Sequence, residues 1–90
     1  MLLCHAPIDQ RTAPLGCVIA LAHFELAATA SGLGTCWMGY FNYASEAYPP
    51  LKEELALPEG HKNYGALSVG YPKFKYHRIP LRRETRIVWR

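Results

Sequence analysis

The stretch that decides the fold is Ser31-Gly32-Leu33-Gly34-Thr35-Cys36-Trp37-Met38-Gly39-Tyr40-Phe41, which follows the most apolar run of the chain, Cys17 to Ala30. Gly32 is predicted to end a helix, because glycine adopts a left-handed conformation without strain. Thr35 to Met38 carries β-branched, sulfur-containing and aromatic side chains, which favour a buried strand. Gly39 at the end of that strand leaves room for a flat group against the backbone. An ordinary corner between a helix and a strand explains the same spacing, since isolated glycine patterns are weak signals.

The composition predicts one small domain with more apolar surface than it can bury alone. Of its 90 residues 50% are hydrophobic and 19% are charged, which excludes a disordered chain. A chain of this length buries roughly 60% of its unfolded surface. We therefore expect another chain or a further segment to cover part of the apolar surface. The formal net charge of +3 is uneven, because seven basic residues and one acidic residue lie between Tyr71 and Arg90.

The three cysteines, Cys4, Cys17 and Cys36, do not form a recognisable framework. Their number is odd and no pair has the CxxC spacing, which argues against disulfides and structural zinc. We expect reduced, mostly buried thiols and a cytoplasmic protein. No segment is expected to be both long and apolar enough to cross a bilayer, since Cys17 to Ala30 is too short and carries His23 and Glu25. No membrane partner is therefore expected.

Five further segments have a predicted structure: a strand from Met1 to Ala6, the main helix from Leu15 to Ser31, two helical pieces between Asn42 and Ala56, a central strand from His61 to Tyr71, and an edge strand from Arg86 to Arg90. The main helix is apolar on two faces and is expected to be buried on most sides. Ser45 is the predicted N-cap of the first helical piece. Pro49-Pro50 breaks that piece and begins the second one. Because the chain opens within a strand, it is interpreted as a truncated product.

Several short motifs follow one another in a characteristic order: Glu25–Ala28, Gly32–Trp37, Gly39–Phe41, Leu57–Gly60, Gly65–Lys73, and Arg82-Arg83 with Ile87–Trp89. Together they resemble the central and C-terminal parts of the FMN-dependent nitroreductase family over nearly the whole chain. The likeness is strongest to members that are often fused to an iron–sulfur ferredoxin module, which these residues do not include. The resemblance implies an α+β fold, the C-terminal half of a nitroreductase-like sandwich of helices around a mainly antiparallel sheet. Residues 1–90 would then form a single partial domain.

The resemblance also implies the edge of a flavin site at Trp37, Met38, Gly39 and Tyr40. A flavin enzyme needs backbone N–H groups directed at N5 and O4 of the ring, where electron density rises on reduction. The amide of Gly39 or Tyr40 is the implied donor. The alternative is a purely structural strand end.

Arg82 and Arg83 match the late basic pair of the family and are implied to hold the flavin phosphate, for which the arginine fork is suited. Leu81 stands where some relatives carry another basic residue, so which arginine makes the contact stays open. The alternative is a solvated basic tail. The alternation of basic and aromatic residues from Lys73 to Arg83 is also compatible with binding of single-stranded nucleic acid. A structural tail is the preferred interpretation, and no nucleic-acid partner is expected.

No metal site or catalytic acid or base can be identified from the sequence. The four histidines are scattered, and Cys4 and His5 are adjacent, so on a strand they would point to opposite faces. Cys36 has no local base and is interpreted as a core residue rather than a nucleophile.

The function implied by the resemblance is two-electron transfer through FMN. NAD(P)H or another small-molecule donor would reduce FMN, which would reduce a nitro, quinone or related acceptor. Family members form intertwined homodimers with the flavin at the subunit interface. The alternative is a truncated, inactive fragment or a small interaction module that keeps part of the fold. Nothing before Pro14 resembles the N-terminal basic segment in which the family's other flavin contacts lie.

Overall fold

The computed structural model describes all residues from Met1 to Arg90. Its elements, in chain order, are β1 (Leu2–Pro7), α1 (Ala13–Ala30), β2 (Gly34–Trp37), α2 (Gly39–Ala47), α3 (Pro49–Leu55) and β3 (His61–Gly70). The three strands form an antiparallel sheet in the order β1-β3-β2. Helix α1 packs on all three strands, and α2 packs on β3 and α3 without contacting α1. This α+β arrangement contains the predicted helices and strands of a partial sandwich, except the edge strand predicted at Arg86–Arg90.

Helix α1 begins two residues before the predicted position because Pro14 fits the first turn of a helix. At its other end Gly32 has φ +78°, as predicted for the residue that follows the helix. The N–H of Leu33 donates to the carbonyl of Ala28 at 2.9 Å, which satisfies a carbonyl of the last turn. The turn therefore directs the chain from α1 straight into β2.

The central strand is β3, as predicted, and its middle is the best-packed part of the molecule. Gly65, Ala66 and Leu67 are all buried, and Leu67 is 0% exposed. A side chain at Gly65 would overlap Leu21 of α1, so the glycine allows the helix to approach the sheet closely. Leu21 is itself only 2% exposed, and the contact between α1 and β3 forms the core.

Two predictions about burial are wrong for the single chain. The strand predicted to be buried is β2, which lies at the edge of the sheet, and its Cys36 and Trp37 are exposed. Of the cysteines only Cys17 is buried, so Cys36 is not a core residue. An edge strand has a neighbour on one side only, so β2 is covered less than the central strand β3.

Two local predictions are also wrong. Ser45 does not cap a helix: it lies inside α2 and its hydroxyl donates to the carbonyl of Asn42 at 2.8 Å. Helix α2 begins at Gly39, because the chain turns directly out of β2. Residues Arg86–Arg90 form no strand: they are exposed and pair with neither edge strand of the sheet, β1 or β2. The break at Pro49-Pro50 occurs as predicted, with α3 beginning at Pro49.

The chain exposes much more surface than a compact protein of its mass. Its accessible surface is 8168 Å², against about 5,300 Å² expected for a compact 10.1 kDa monomer. Only 8 of 90 residues are buried. On α1 the side chains of Val18, Ile19 and Leu26 are exposed, and every residue from Tyr71 to Arg90 is exposed. The predicted burial of α1 on most sides therefore requires additional chain.

Helix α1 is long and apolar enough to cross a membrane by length and composition, with a mean hydropathy of 1.5 over its 18 residues. The expectation that no segment has these properties is wrong, because it considered only Cys17 to Ala30. The core helix of a soluble protein and a signal sequence meet the same criteria, so this property alone is weak evidence.

Candidate functional site

A shallow pocket opens where β2 passes into α2. It has a volume of about 610 Å³ and is lined by Trp37, Gly39, Tyr40 and Tyr43. The N–H of Met38 donates to the carbonyl of Ala66 at 2.9 Å, which fixes the turn against the central strand. Three of the four residues predicted for the flavin edge thus line one pocket, and the fourth, the half-buried Met38, lies between them in sequence.

The floor of this pocket contains the N-terminus of α2. Gly39 and Tyr40 are the first two residues of the helix, so their N–H groups have no acceptor within it. No side chain caps the helix, and the position of a Cβ at Gly39 has no atom within 4 Å. The positive end of the helix dipole lies at the same place. Two of the residues that line the pocket, Gly39 and Tyr40, therefore have backbone N–H groups without an acceptor in the helix.

The indole of Trp37 is held by a carboxylate from α1. Trp37 Nε1 donates to Glu25 Oε2 at 3.1 Å, and Thr35 Oγ1 donates to Glu25 Oε1 at 3.4 Å. Glu25 thereby joins α1 to β2 and orients the side chain that forms one wall of the pocket. The contacts of Glu25 with Trp37 and Thr35 were not predicted from the sequence. A carboxylate on an otherwise apolar helix was the available signal, because such a group requires polar partners.

A buried polar cluster anchors α2 to the sheet. Asn63 is 3% exposed, and its amide donates to Asn42 Oδ1 at 2.9 Å and to Ser45 Oγ at 3.4 Å. Its own Oδ1 accepts the N–H of Gly65 at 3.1 Å. No buried side-chain polar atom lacks a partner. This cluster was not predicted either, and it holds the pocket-lining helix in a fixed position relative to β3.

Arg82 and Arg83 lie in the exposed segment after Tyr71 and form no ion pair or side-chain hydrogen bond. No residue of that segment lines the pocket at Trp37. The single chain therefore brings together the predicted ring-edge residues but does not bring the predicted phosphate contacts to them.

The buried thiol of Cys17 faces Cys4 across the interface between α1 and β1. Burial, followed by the hydrogen bond and the charge of Cys4, raises the pKa of Cys17 from 9.0 to about 11. Cys17 is consequently an unreactive thiol at neutral pH. No group of three or more histidine, cysteine, aspartate or glutamate side chains is arranged to hold a metal ion.

Comparison with known proteins gives a family and a fold. The nitroreductase family model matches residues 3–71. The crystal structure of a nitroreductase with bound FMN from Bacteroides fragilis matches with a TM-score of 0.76 and 24% sequence identity, over 96% of this chain and 48% of that chain. The chain thus spans about half the length of that solved structure. No curated protein matches the chain.

Proposed function

Because the chain belongs to the nitroreductase family, we propose that it contributes part of the flavin site of an FMN-dependent oxidoreductase. The observation that carries this proposal is the open N-terminus of α2, where the N–H groups of Gly39 and Tyr40 meet a pocket walled by Trp37. A flavin ring edge carries electron density at N5 and O4, and preorganised donors stabilise that density. The residues present fit such a ring edge.

The bound FMN would supply the chemistry, by transferring two electrons from NAD(P)H or another donor to a nitro, quinone or related acceptor. The protein's part is to bind and orient the ring. The backbone of Gly39 would donate a hydrogen bond to the ring edge, and the indole of Trp37, held by Glu25, would limit the access of water on one side.

Arg82 and Arg83 are proposed to bind the flavin phosphate once the exposed C-terminal segment is packed. Both have guanidinium groups with no protein partner, and seven basic residues accompany one acidic residue in this segment. The loss of one charge-assisted contact would cost about 1.5–3 kcal/mol of binding free energy.

The active form is proposed to be a homodimer with the flavin at its interface. The chain exposes about 2,900 Å² more surface than a compact monomer of its mass. Each partner in an interface of standard size buries about 800 Å², so the excess is sufficient for an extensive interface. Val18, Ile19 and Leu26 of α1 contribute exposed apolar side chains to that surface. The three free thiols favour a cytoplasmic location.

A second candidate is a binding module without activity. The exposed face of α1, with Val18, Ile19 and Leu26, is the observation that favours it, since such a face indicates an interaction surface whether or not FMN is bound. The DNA upstream of Met1 discriminates between the candidates. An in-frame N-terminal half would favour the flavin enzyme, and its absence would favour the module.

The test of the flavin site is the pair Gly39→Pro and Gly39→Ala, made in the protein expressed with all in-frame upstream sequence. Proline is tolerated at the first position of a helix but removes the N–H, whereas alanine keeps the N–H and meets no atom within 4 Å. Gly39→Pro is expected to weaken FMN binding about tenfold, which corresponds to one hydrogen bond of about 1.4 kcal/mol. Gly39→Ala is the matched control and should bind nearly as the parent does.

FMN affinity is measured from the quenching of flavin fluorescence, with Arg82→Ala/Arg83→Ala as a second variant. Equal dissociation constants for Gly39→Pro and Gly39→Ala would rule out the proposed donor. An unchanged affinity of the double arginine variant would remove the phosphate assignment. Absence of FMN binding by the complete parent protein would leave the interaction module as the function.

A further inference from the structure

A pair of histidines joins the outer strand β1 to the central strand β3, away from the pocket at Trp37. His5 Nδ1 lies 2.8 Å from His61 Nδ1, and the ring centroids are 5.0 Å apart with the planes tilted by 57°. His5 is exposed and His61 is half-buried. We propose that these two side chains form a bidentate binding site for a divalent transition-metal ion of the zinc, copper or nickel type.

The strand register brings the two rings together. His5 pairs with Asn63, and His61 precedes Asn63 by two residues on the same strand. Residues two apart on a strand share a face, so His5, Asn63 and His61 lie on one face of the sheet. Diagonal neighbours on such a face are within reach of long and aromatic side chains. The register shift between Cys4 and His5 leaves Tyr64 without a partner, so the register of this end of the sheet differs from that of the rest.

The backbone around both rings is fixed by hydrogen bonds. The N–H of Ile8 donates to the carbonyl of Gly60 at 2.8 Å, and the N–H of His61 donates to the carbonyl of Pro58 at 3.0 Å. These contacts close the end of the ladder between β1 and β3. A site on paired strands is prepositioned, which reduces the entropy lost when a ligand binds.

The separation of the two nitrogens is close to that of two imidazoles on one metal ion. Imidazole binds zinc at about 2.0–2.1 Å, which places neighbouring ligand nitrogens about 2.9 Å apart at a right angle and about 3.3 Å apart in a tetrahedron. The observed separation is 2.8 Å. Binding of one ion by both nitrogens requires each ring to rotate by about 35–45° away from the line that joins the two nitrogens. In the present contact the Nδ1–H of one ring donates a hydrogen bond to the unprotonated Nδ1 of the other. When an ion binds both Nδ1 atoms, that proton would move to Nε2 of its own ring.

The surroundings favour a cation and leave room for water ligands. No third histidine, cysteine or carboxylate completes a three-residue group at the pair, so water would occupy the remaining coordination positions. A surface pocket of about 490 Å³ is lined by His61, though not by His5, and by Asp9 and Glu59. Their negative charges attract a cation. Imidazole nitrogen favours zinc, copper and nickel, whereas calcium and magnesium require oxygen ligands.

The test is a titration of the complete chain, free of any affinity tag, with Zn²⁺, and separately with Mg²⁺. Zn²⁺ should bind with one equivalent per chain and raise the melting temperature, because an ion that bridges β1 and β3 binds the folded state only. Mg²⁺ should produce neither effect. His5→Gln and His61→Gln should each lose the equivalent and the thermal shift. His77→Gln, in the exposed C-terminal segment, is the matched control and should retain both.

A second measurement uses the unaltered chain and does not depend on how the variants fold. Diethylpyrocarbonate modifies accessible histidines, and mass spectrometry locates the modified residues. Zn²⁺ should slow the modification of His5 and His61 and leave His77 unchanged. Equal protection of all three, no protection of the pair, or the same Zn²⁺ stoichiometry in His5→Gln and His77→Gln would overturn the proposal. None of these readouts involves FMN, so they are independent of the proposed oxidoreductase function.

Discussion

Replacement of Gly65 by alanine is expected to destabilise the contact between α1 and the sheet. A Cβ at this position would overlap the Cδ1 methyl of Leu21, closer than carbon atoms approach in folded proteins. Leu21 is 2% exposed, so its methyl has little free space into which to move. The ring of Trp37 lies 3.7 Å from the same point, an ordinary contact. The strain therefore falls on the packing of Leu21.

The expected loss is the overpacking cost minus the gain from a stiffer unfolded chain. Overpacking costs about 2 kcal/mol, and a change from glycine to alanine offsets about 0.7 kcal/mol through the unfolded state. A net loss of about 1.3 kcal/mol lowers the melting temperature of a domain of this size by about 5–10 °C. Thermal unfolding followed by circular dichroism measures this change.

The matched control is Gly16→Ala, in the first turn of α1, where an added Cβ has no atom within 4 Å. It should leave the free energy of unfolding unchanged or raise it by about 0.5–1 kcal/mol. The loss caused by Gly65→Ala should shrink in a Leu21→Ala background, because the overlapping methyl is absent there. Equal melting temperatures for Gly65→Ala and Gly16→Ala, or an unchanged loss in that background, would refute the packing argument.

Three further predictions concern the site and the assembly. In a Trp89→Phe background, which leaves Trp37 as the single tryptophan, Glu25→Ala should lower the fluorescence anisotropy of the indole. Glu25→Gln keeps an acceptor oxygen and should preserve the anisotropy. Equal anisotropy in the two variants would contradict a positioning role for Glu25. Alkylation at pH 9, measured by mass spectrometry, should modify the exposed Cys36 first and the buried Cys17 slowest. A pKa of about 11 leaves about 1% of Cys17 as thiolate, whereas a thiol with a pKa of 9.0 is half ionised at this pH. Rapid labelling of Cys17 would show that it is not buried. The ninety-residue chain alone should self-associate through α1 and bind FMN weakly or not at all; a monomer in sedimentation that retains FMN through gel filtration would contradict this expectation.

The kind of each main element could be predicted from the sequence because it depends on neighbouring residues. Gly32 takes the positive φ that ends α1, and Pro49-Pro50 separates two helices, as their local chemistry requires. The order of short motifs was sufficient to predict the family, and the match over residues 3–71 confirmed it. Three of the four predicted ring-edge residues line one pocket because they are nearly consecutive at the turn between β2 and α2.

Burial and side-chain partners were decided by the tertiary structure. Whether β2 is buried depends on its place at the edge of the sheet, and Arg86–Arg90 have strand-like residues but pair with neither edge of that sheet. The bond from Trp37 to Glu25 joins residues 12 apart, and the contact of His5 with His61 joins residues 56 apart. Local propensity cannot predict such pairs, because they depend on the strand register. A shift of one residue in the register would turn each side chain to the opposite face of the sheet.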